Sequence, residues 1–270
     1  MPIKTILLHL ANDGHPTARI AVAADLSRRF SAFVEALYVA SPVSMPAAVT
    51  GRGASYAYIA EATVIAHEKA EQAEKEVRAA LKDCLHSWSV VEGDHVHLLA
   101  QRAAFADLAI VSQARVDGMD DVVLLNVPER LPLETSCPTL VLPYEHDTSL
   151  PLGQNILIAW KNTREANRAV RNALPFLQTA GKVTLLAPQD EPGVDDLVAS
   201  LQRHGVTLER ARNVPVAGDV GETILGCARD TGADLLVMGA YGHSRLREMV
   251  LGGATRSVLE NLHLPVLLSH

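Results

Sequence analysis

One ordered series of apolar runs occurs twice along this chain, and that internal repeat limits the fold more than any other feature. "KTILLHLANDG" (4–14) and "QNILIAWKNTRE" (154–165) each end an apolar run in a polar turn. Each leads into an Ala-rich amphipathic segment, "ARIAVAADLSRRF" (18–30) and "EANRAVRNALPFL" (165–177). A second apolar run follows in both, "FVEALYVA" (33–40) and "KVTLLAP" (182–188). Further on, "FADLAIVSQA" (105–114) matches "GADLLVMGAY" (232–241), and "SCPTLVLP" (136–143) matches "HLPVLLSH" (263–270). The first match is offset by 150 residues and the last two by 127, so the first half carries a longer middle.

That extra stretch, "SPVSMPAAVTGRGASYAYIAE" (41–61), is rich in Pro, Gly and Ser and reads as irregular. A helix is predicted after it, over about 61–86, with apolar positions at Val64, Ile65, Val77 and Leu81. "YEHDTSLPLGQ" (144–154) reads as a linker. Each half thus alternates short apolar strands with helices. Continuous apolar runs suit strands buried on both faces. Right-handed crossovers then give a doubly wound parallel sheet, which binds ligands at the carboxyl ends of its strands.

The remaining composition narrows the function. A net charge of −7 without a basic run argues against a nucleic-acid groove. No window approaches the roughly 18 apolar residues of a membrane span. "MPIKTILLHLANDG" has too short an apolar run for a signal peptide, so a cytoplasmic location is expected. Cys84, Cys137 and Cys227 lack metal-site spacing and read as buried thiols.

The chemistry concentrates near the C-terminus. "ADLLVMG" gives a strand ending at Met238, and Gly239 and Gly242 allow a turn with positive φ close to a ligand. "SRLREMVL" (244–251) reads as a short helical piece. Gly252 and Gly253 reopen the backbone, and "ATRSVLENL" (254–262) starts a helix. A helix start offers free amides and a positive dipole end, and Thr255 adds a hydroxyl in the first turn. These are the parts of a phosphate cradle. Two glycine pairs around a helix also serve as plain turns, so both readings stand on the residues alone.

The strand, Gly239-Ala-Tyr-Gly242, nine residues, then Gly252-Gly253, a helix and "PVLL" resemble the signature of the universal stress protein family. Through the repeat, the resemblance extends over the chain as a tandem of two such domains, about 1–145 and 152–270. It implies two flavodoxin-like α/β domains of the adenine nucleotide alpha hydrolase-like kind. Each would have a five-stranded parallel sheet with helices on both faces.

The resemblance also implies a stress-response binding or signalling module with a single site for ATP or AMP, with magnesium, in the second domain. Gly239, Gly242, Gly252, Gly253, Ala254 and Thr255 would hold phosphates and ribose. Met238 would border the ribose, and Ala159 and Pro188 would line the adenine slot. The last strands, Thr139–Pro143 and Pro265–Ser269, would pair as an intramolecular pseudo-dimer, with a homodimer as a further level of assembly. No catalytic constellation can be assembled, so at most slow hydrolysis is expected.

Two departures stand out. The family's usual Ser after the second glycine is here Gly253. The usual Asp at the end of the first strand is replaced by Lys161, which cannot accept hydrogen bonds from a ribose or base. Lys161 would attract a phosphate or pair with a carboxylate and fill the slot. Hence the alternatives: an interaction scaffold with a vestigial pocket, or an enzyme using an N-terminal pocket beneath 41–61. The first half has only Gly118 in the corresponding place, so no phosphate site is expected there.

Several other residues carry expectations. Asp13 keeps an acid after the first strand, and Asp234 reads as structural. His9 would be a hydrogen-bonded structural histidine, and His95 and His97 would share one face of a strand. His243, Arg245 and Arg247 flank the phosphate position. Trp160 would either stack on a base or pack beneath a helix. His270 would belong to a free tail.

Overall fold

A computed structural model describes residues 2–11, 13, 16–40, 68–113, 127–211, 218–242 and 253–270. The first half runs β1 (Thr5–Ala11), α1 (Pro16–Phe30), β2 (Phe33–Ala40), α2 (68–80), β3 (His86–Glu92), α3 (His95–Ala103), β4 (Leu108–Ser112), α4 (Val127–Glu134) and β5 (Thr139–Leu142). The second half runs β6 (Asn155–Ala159), α5 (Arg164–Leu177), β7 (Lys182–Leu186), α6 (Val194–Arg203), β8 (Glu209–Arg210), α7 (Val220–Thr231), β9 (Leu235–Gly239), α8 (Gly253–Glu260) and β10 (Val266–Ser269).

These strands form one sheet in the order β3-β2-β1-β4-β5-β10-β9-β6-β7-β8. Every pairing within a half is parallel. The single change of direction among the described strands is at the centre, where β10 lies antiparallel to β5 with Leu267 opposite Leu140. Read outward from this seam, both halves have the same order, and in each the winding reverses beside the first strand: between β1 and β4, and between β6 and β9. The pairing also removes the free edge that β5 and β10 would each otherwise present.

The repeat persists in the hydrogen bonds. Ile6 pairs with Leu108, and Ile156 pairs with Leu235, so the two central registers correspond. Asp107 accepts the amides of Lys4 and Thr5 at 2.8 and 3.0 Å. Asp234 accepts those of Gly153, Gln154 and Asn155 at 2.8, 2.9 and 3.0 Å. Each acid at the start of a fourth strand therefore ties down the start of a first strand. Asp234 is structural, as its place in the sequence suggested.

Helices cover both faces. One layer packs α1, α2, α5 and α6 on residues such as Leu8, Tyr38, Ile158 and Val183. The other packs α3, α4, α7 and α8 on Leu7, Leu37, Leu157 and Val266. Side chains also cross between the halves. Phe30 meets Phe176 edge to face at 5.3 Å, and the Arg29 guanidinium lies over both rings. Arg29 also donates to the Leu152 carbonyl at 2.8 Å. Gln113, just past β4, donates to the carbonyls of Leu259 and Glu260 at the end of α8, at 2.7 and 3.2 Å.

Two local expectations change. The helix expected to reach residue 86 ends at 80, and β3 begins at His86. β3 is an outer strand whose residues are half-buried or exposed, so it lacks the continuous apolar run of the inner strands. His95 and His97 open a helix rather than share a strand face, because the Asp94 carboxylate accepts the His97 amide and caps α3. His95 is consequently buried, while His97 is exposed and bonds Gln101.

Candidate functional site

The carboxyl ends of β6 and β9, where the second half's winding reverses, bring most of the sequence-derived site residues together. Ala159 is the last residue of β6. Met238 and Gly239 end β9, with Met238 buried. Gly253, Ala254 and Thr255 are the first three residues of α8. Pro188 is exposed, two residues beyond β7, and Lys161 is exposed just after Trp160. Gly252, with His243, Arg245, Arg247, the 244–251 segment, the 41–61 stretch and Gly118, lies outside the described residues.

The two described parts of the glycine motif touch. The Tyr241 amide donates to the Thr255 hydroxyl oxygen at 3.2 Å, tying the turn after β9 to the first turn of α8. Thr255 is buried, and its hydroxyl accepts this bond, while a hydroxyl can donate as well as accept. A Cβ built on Gly253 would meet no described residue within 4 Å. A second helix start faces the same turn. Thr163 caps α5 by accepting the Ala166 amide at 3.2 Å. A Cβ on Gly242 would lie 3.4 Å from the Thr163 hydroxyl and 3.5 Å from the Glu165 carboxylate.

The glycines act differently from the sequence expectation. Neither Gly239 nor Gly242 has a positive φ; Tyr241 between them does, at 56°. Gly239 is required for another reason. A Cβ there would lie 2.5 Å from the Ala166 nitrogen and 2.8 Å from the Glu165 carbonyl carbon. The missing side chain lets the first turn of α5 rest directly on β9.

The loop after β6 is held by its own polar contacts. Trp160 is buried, and its indole N–H donates to Asn167 at 3.0 Å. It therefore packs beneath α5 and does not offer a face for stacking. The Asn162 amide donates to Glu191 at 2.8 Å. His270 is not a free tail: its Nδ1 lies 3.0 Å from the Ala240 carbonyl oxygen, and Arg168 bonds its backbone oxygen.

Glu165 is a nearly buried site residue that the sequence reading missed. Burial pushes its carboxyl up, but its own amide, Arg164 and His270 outweigh this and leave it lowered. The signal was present: a hydroxyl cap followed by an acid in the first turn of a helix.

Among the described residues, no group of three metal-ligating side chains forms a site. No helix among them is long and apolar enough to cross a membrane.

This site defines a doubly wound α/β protein with a helix start beside a strand-end glycine turn. The profile of the universal stress protein family matches residues 153–270. The universal stress protein Slr1230 of a Synechocystis species is 28% identical over 197 residues, which are 69% of this chain and 61% of that protein. The universal stress protein MJ0577 of Methanocaldococcus jannaschii is 34% identical over 58 residues, 22% of this chain and 36% of that protein. Both alignments span less than two thirds of the relative's length. A crystal structure of a universal stress protein from Archaeoglobus fulgidus superposes with a TM-score of 0.73 at 17% identity, covering 98% of this chain and 95% of that one. That likeness is one of fold. Residues 153–270 belong to the universal stress protein family.

Proposed function

We propose that the chain is a tandem universal stress protein acting as a stress-response binding or signalling module. It has a single adenine-nucleotide site, for ATP or AMP, in its second domain. The domains are about 1–145 and 152–270, joined through Thr139–Pro143 and Pro265–Ser269 as an intramolecular pseudo-dimer. The observation that carries the site is the Tyr241–Thr255 hydrogen bond, which ties the strand-end turn to the first turn of α8. It sets amides at the start of α8 and a hydroxyl next to the strand-end turn, as a phosphate requires.

In this reading Gly253, Ala254 and Thr255 hold phosphate, together with Gly252. Gly239, Gly242 and Met238 border the ribose, and Ala159 and Pro188 flank the base. Lys161 adds positive charge at the rim, and magnesium accompanies a bound triphosphate. Homodimers form a further level of assembly, and the module works in the cytoplasm without binding nucleic acid or membrane.

A second reading rests on Lys161. It replaces an acceptor with a donor at the end of β6, leaving a scaffold with a vestigial pocket. Isothermal titration of ATP and AMP into the intact chain and into Lys161→Asp separates the two. Saturable binding to the natural chain supports the nucleotide site. No heat at millimolar nucleotide, or binding only by Lys161→Asp, overturns it.

A further inference from the structure

The sheet has two outer edges, and they differ. At one edge β8 has only Glu209 and Arg210, both exposed. A short, charged edge resists pairing with another chain. At the other edge β3 runs for seven residues, "HSWSVVE", with no proline, glycine or lysine to blunt it. Among the described residues no strand pairs with its outer side.

The register with β2 fixes which groups of β3 face outward. The Val34 amide donates to the Leu85 carbonyl at 3.0 Å, and Val34 stands opposite His86. The direction of the backbone groups alternates along a strand. Ser87, Ser89 and Val91 therefore turn their amides and carbonyls toward β2. His86, Trp88, Val90 and Glu92 turn theirs outward.

This arrangement is self-complementary. Lay a second copy of β3 antiparallel to the first with all seven residues overlapping, and Ser89 meets Ser89 on a two-fold axis. His86 then meets Glu92 of the second copy, and Trp88 meets Val90 of the second copy. Every outward residue meets an outward residue, as an antiparallel ladder requires. Sliding by one residue would set outward groups against inward ones.

The side chains agree with the backbone. Trp88 packs on the α1–α2 layer, with its ring 5.9 Å from Tyr38. Val90 lies on the same face of the strand and is 37% exposed. Symmetry therefore makes two Trp–Val pairs, and aromatic residues opposite β-branched ones stabilise antiparallel strands. At each end an imidazole faces a carboxylate, so no like charges oppose each other. The Cys84 carbonyl, 3.0 Å from His86 Nδ1, holds that imidazole in place. The chain already joins its two halves by an antiparallel meeting of edge strands, β5 with β10.

We propose that β3 is the homodimer interface, pairing antiparallel with β3 of a second copy about Ser89, so that the two sheets become one. The proposal rests on the homodimer of the proposed function and names its surface; it does not depend on the nucleotide site.

The test uses the intact chain in sedimentation velocity over a concentration series, and in disulfide cross-linking with oxidised glutathione. Val90→Lys puts a charge opposite Trp88 of the second copy. It should weaken dimerisation by about tenfold or more, because symmetry counts the change twice. Circular dichroism checks that this variant is folded. Cross-linking is done in a Cys84→Ser background. At the two-fold axis the Ser89 Cα atoms form a pair without mutual hydrogen bonds, about 4.5 Å apart, which a disulfide can span. Ser89→Cys should therefore cross-link rapidly into dimers. Ser87→Cys should not, since its two copies stand four residues out of register, roughly 13 Å along the strands. A natural chain that stays monomeric up to about 100 μM overturns both this interface and the homodimer reading. A dimer indifferent to Val90→Lys, or cross-linked no faster through Ser89→Cys than through Ser87→Cys, overturns the β3 interface and leaves the homodimer standing. If Val90→Lys does not fold, the cross-linking pair decides.

Discussion

Replacing Gly239 with alanine should damage the fold, while the same change at Gly253 should not, although both glycines belong to one motif. The added Cβ at position 239 would lie 2.5 Å from the Ala166 nitrogen, 2.8 Å from the Glu165 carbonyl carbon and 2.9 Å from the Ala166 Cα. All three are backbone atoms, so no side chain can rotate away. Relief requires moving the first turn of α5 off β9, which also disturbs the Thr163 cap. Overpacking of this kind costs about 1–3 kcal/mol, and rigid backbone contacts favour the upper end. For a chain of this size, ~3 kcal/mol lowers the melting temperature by roughly 6–12 °C. The would-be Cβ of Gly253 meets no described residue within 4 Å, and Gly253 begins a helix, where alanine is the better helix former. Gly253→Ala should therefore melt within about 2 °C of the natural chain. Thermal denaturation followed by circular dichroism reads both. Equal destabilisation by the two variants, or none by Gly239→Ala, would refute the separation of the two glycines.

Other consequences follow from the same geometry. Arg29→Ala removes the donor to Leu152 and the cation over Phe30 and Phe176, and should cost about 1–3 kcal/mol in denaturant unfolding. Gln113→Ala takes two donors from the end of α8 and should cost about 1–2 kcal/mol by the same measurement. The buried imidazoles of His9 and His95, 2.9 Å apart, set a pH dependence. Their folded pKa values are lowered, so acid favours the unfolded chain, which takes up protons first. Stability should hold above the ordinary histidine value and fall as pH drops from about 6.5 to about 4, with His95 alone contributing roughly 3 kcal/mol at the lower end. Melting temperatures across that range should show a slope that His95→Gln reduces; an unchanged slope would remove His95 as its source.

The sequence made the repeat, the central strands and the start of α8 legible because each has a local cause. Continuous apolar runs mark doubly buried strands, and glycine beside a helix start marks an anion-binding shape. Asp107 and Asp234 were legible as a matched pair through the repeat, and the structure gives them matched work on backbone amides. The outer strand β3 is hard to read from sequence because none of its residues is fully buried, which weakens its apolar pattern. The need for glycine at 239 is not legible locally, since the close neighbour is α5, an element 73 residues earlier in the chain at Ala166. Trp160 and His270 likewise depend on contacts with Asn167 and Ala240, which periodicity does not reveal. The His9–His95 pair joins side chains 86 residues apart and needed the sheet register to appear.

The proposed nucleotide site lies at the junction of β6, β9 and α8. A crystal structure of the intact chain grown with ATP and magnesium tests it most directly. Phosphate density should appear at the first turn of α8, within hydrogen-bond reach of the Gly253 amide and the Thr255 hydroxyl, with the base near Ala159. An empty cleft at saturating nucleotide, or ATP bound at another place, would contradict it.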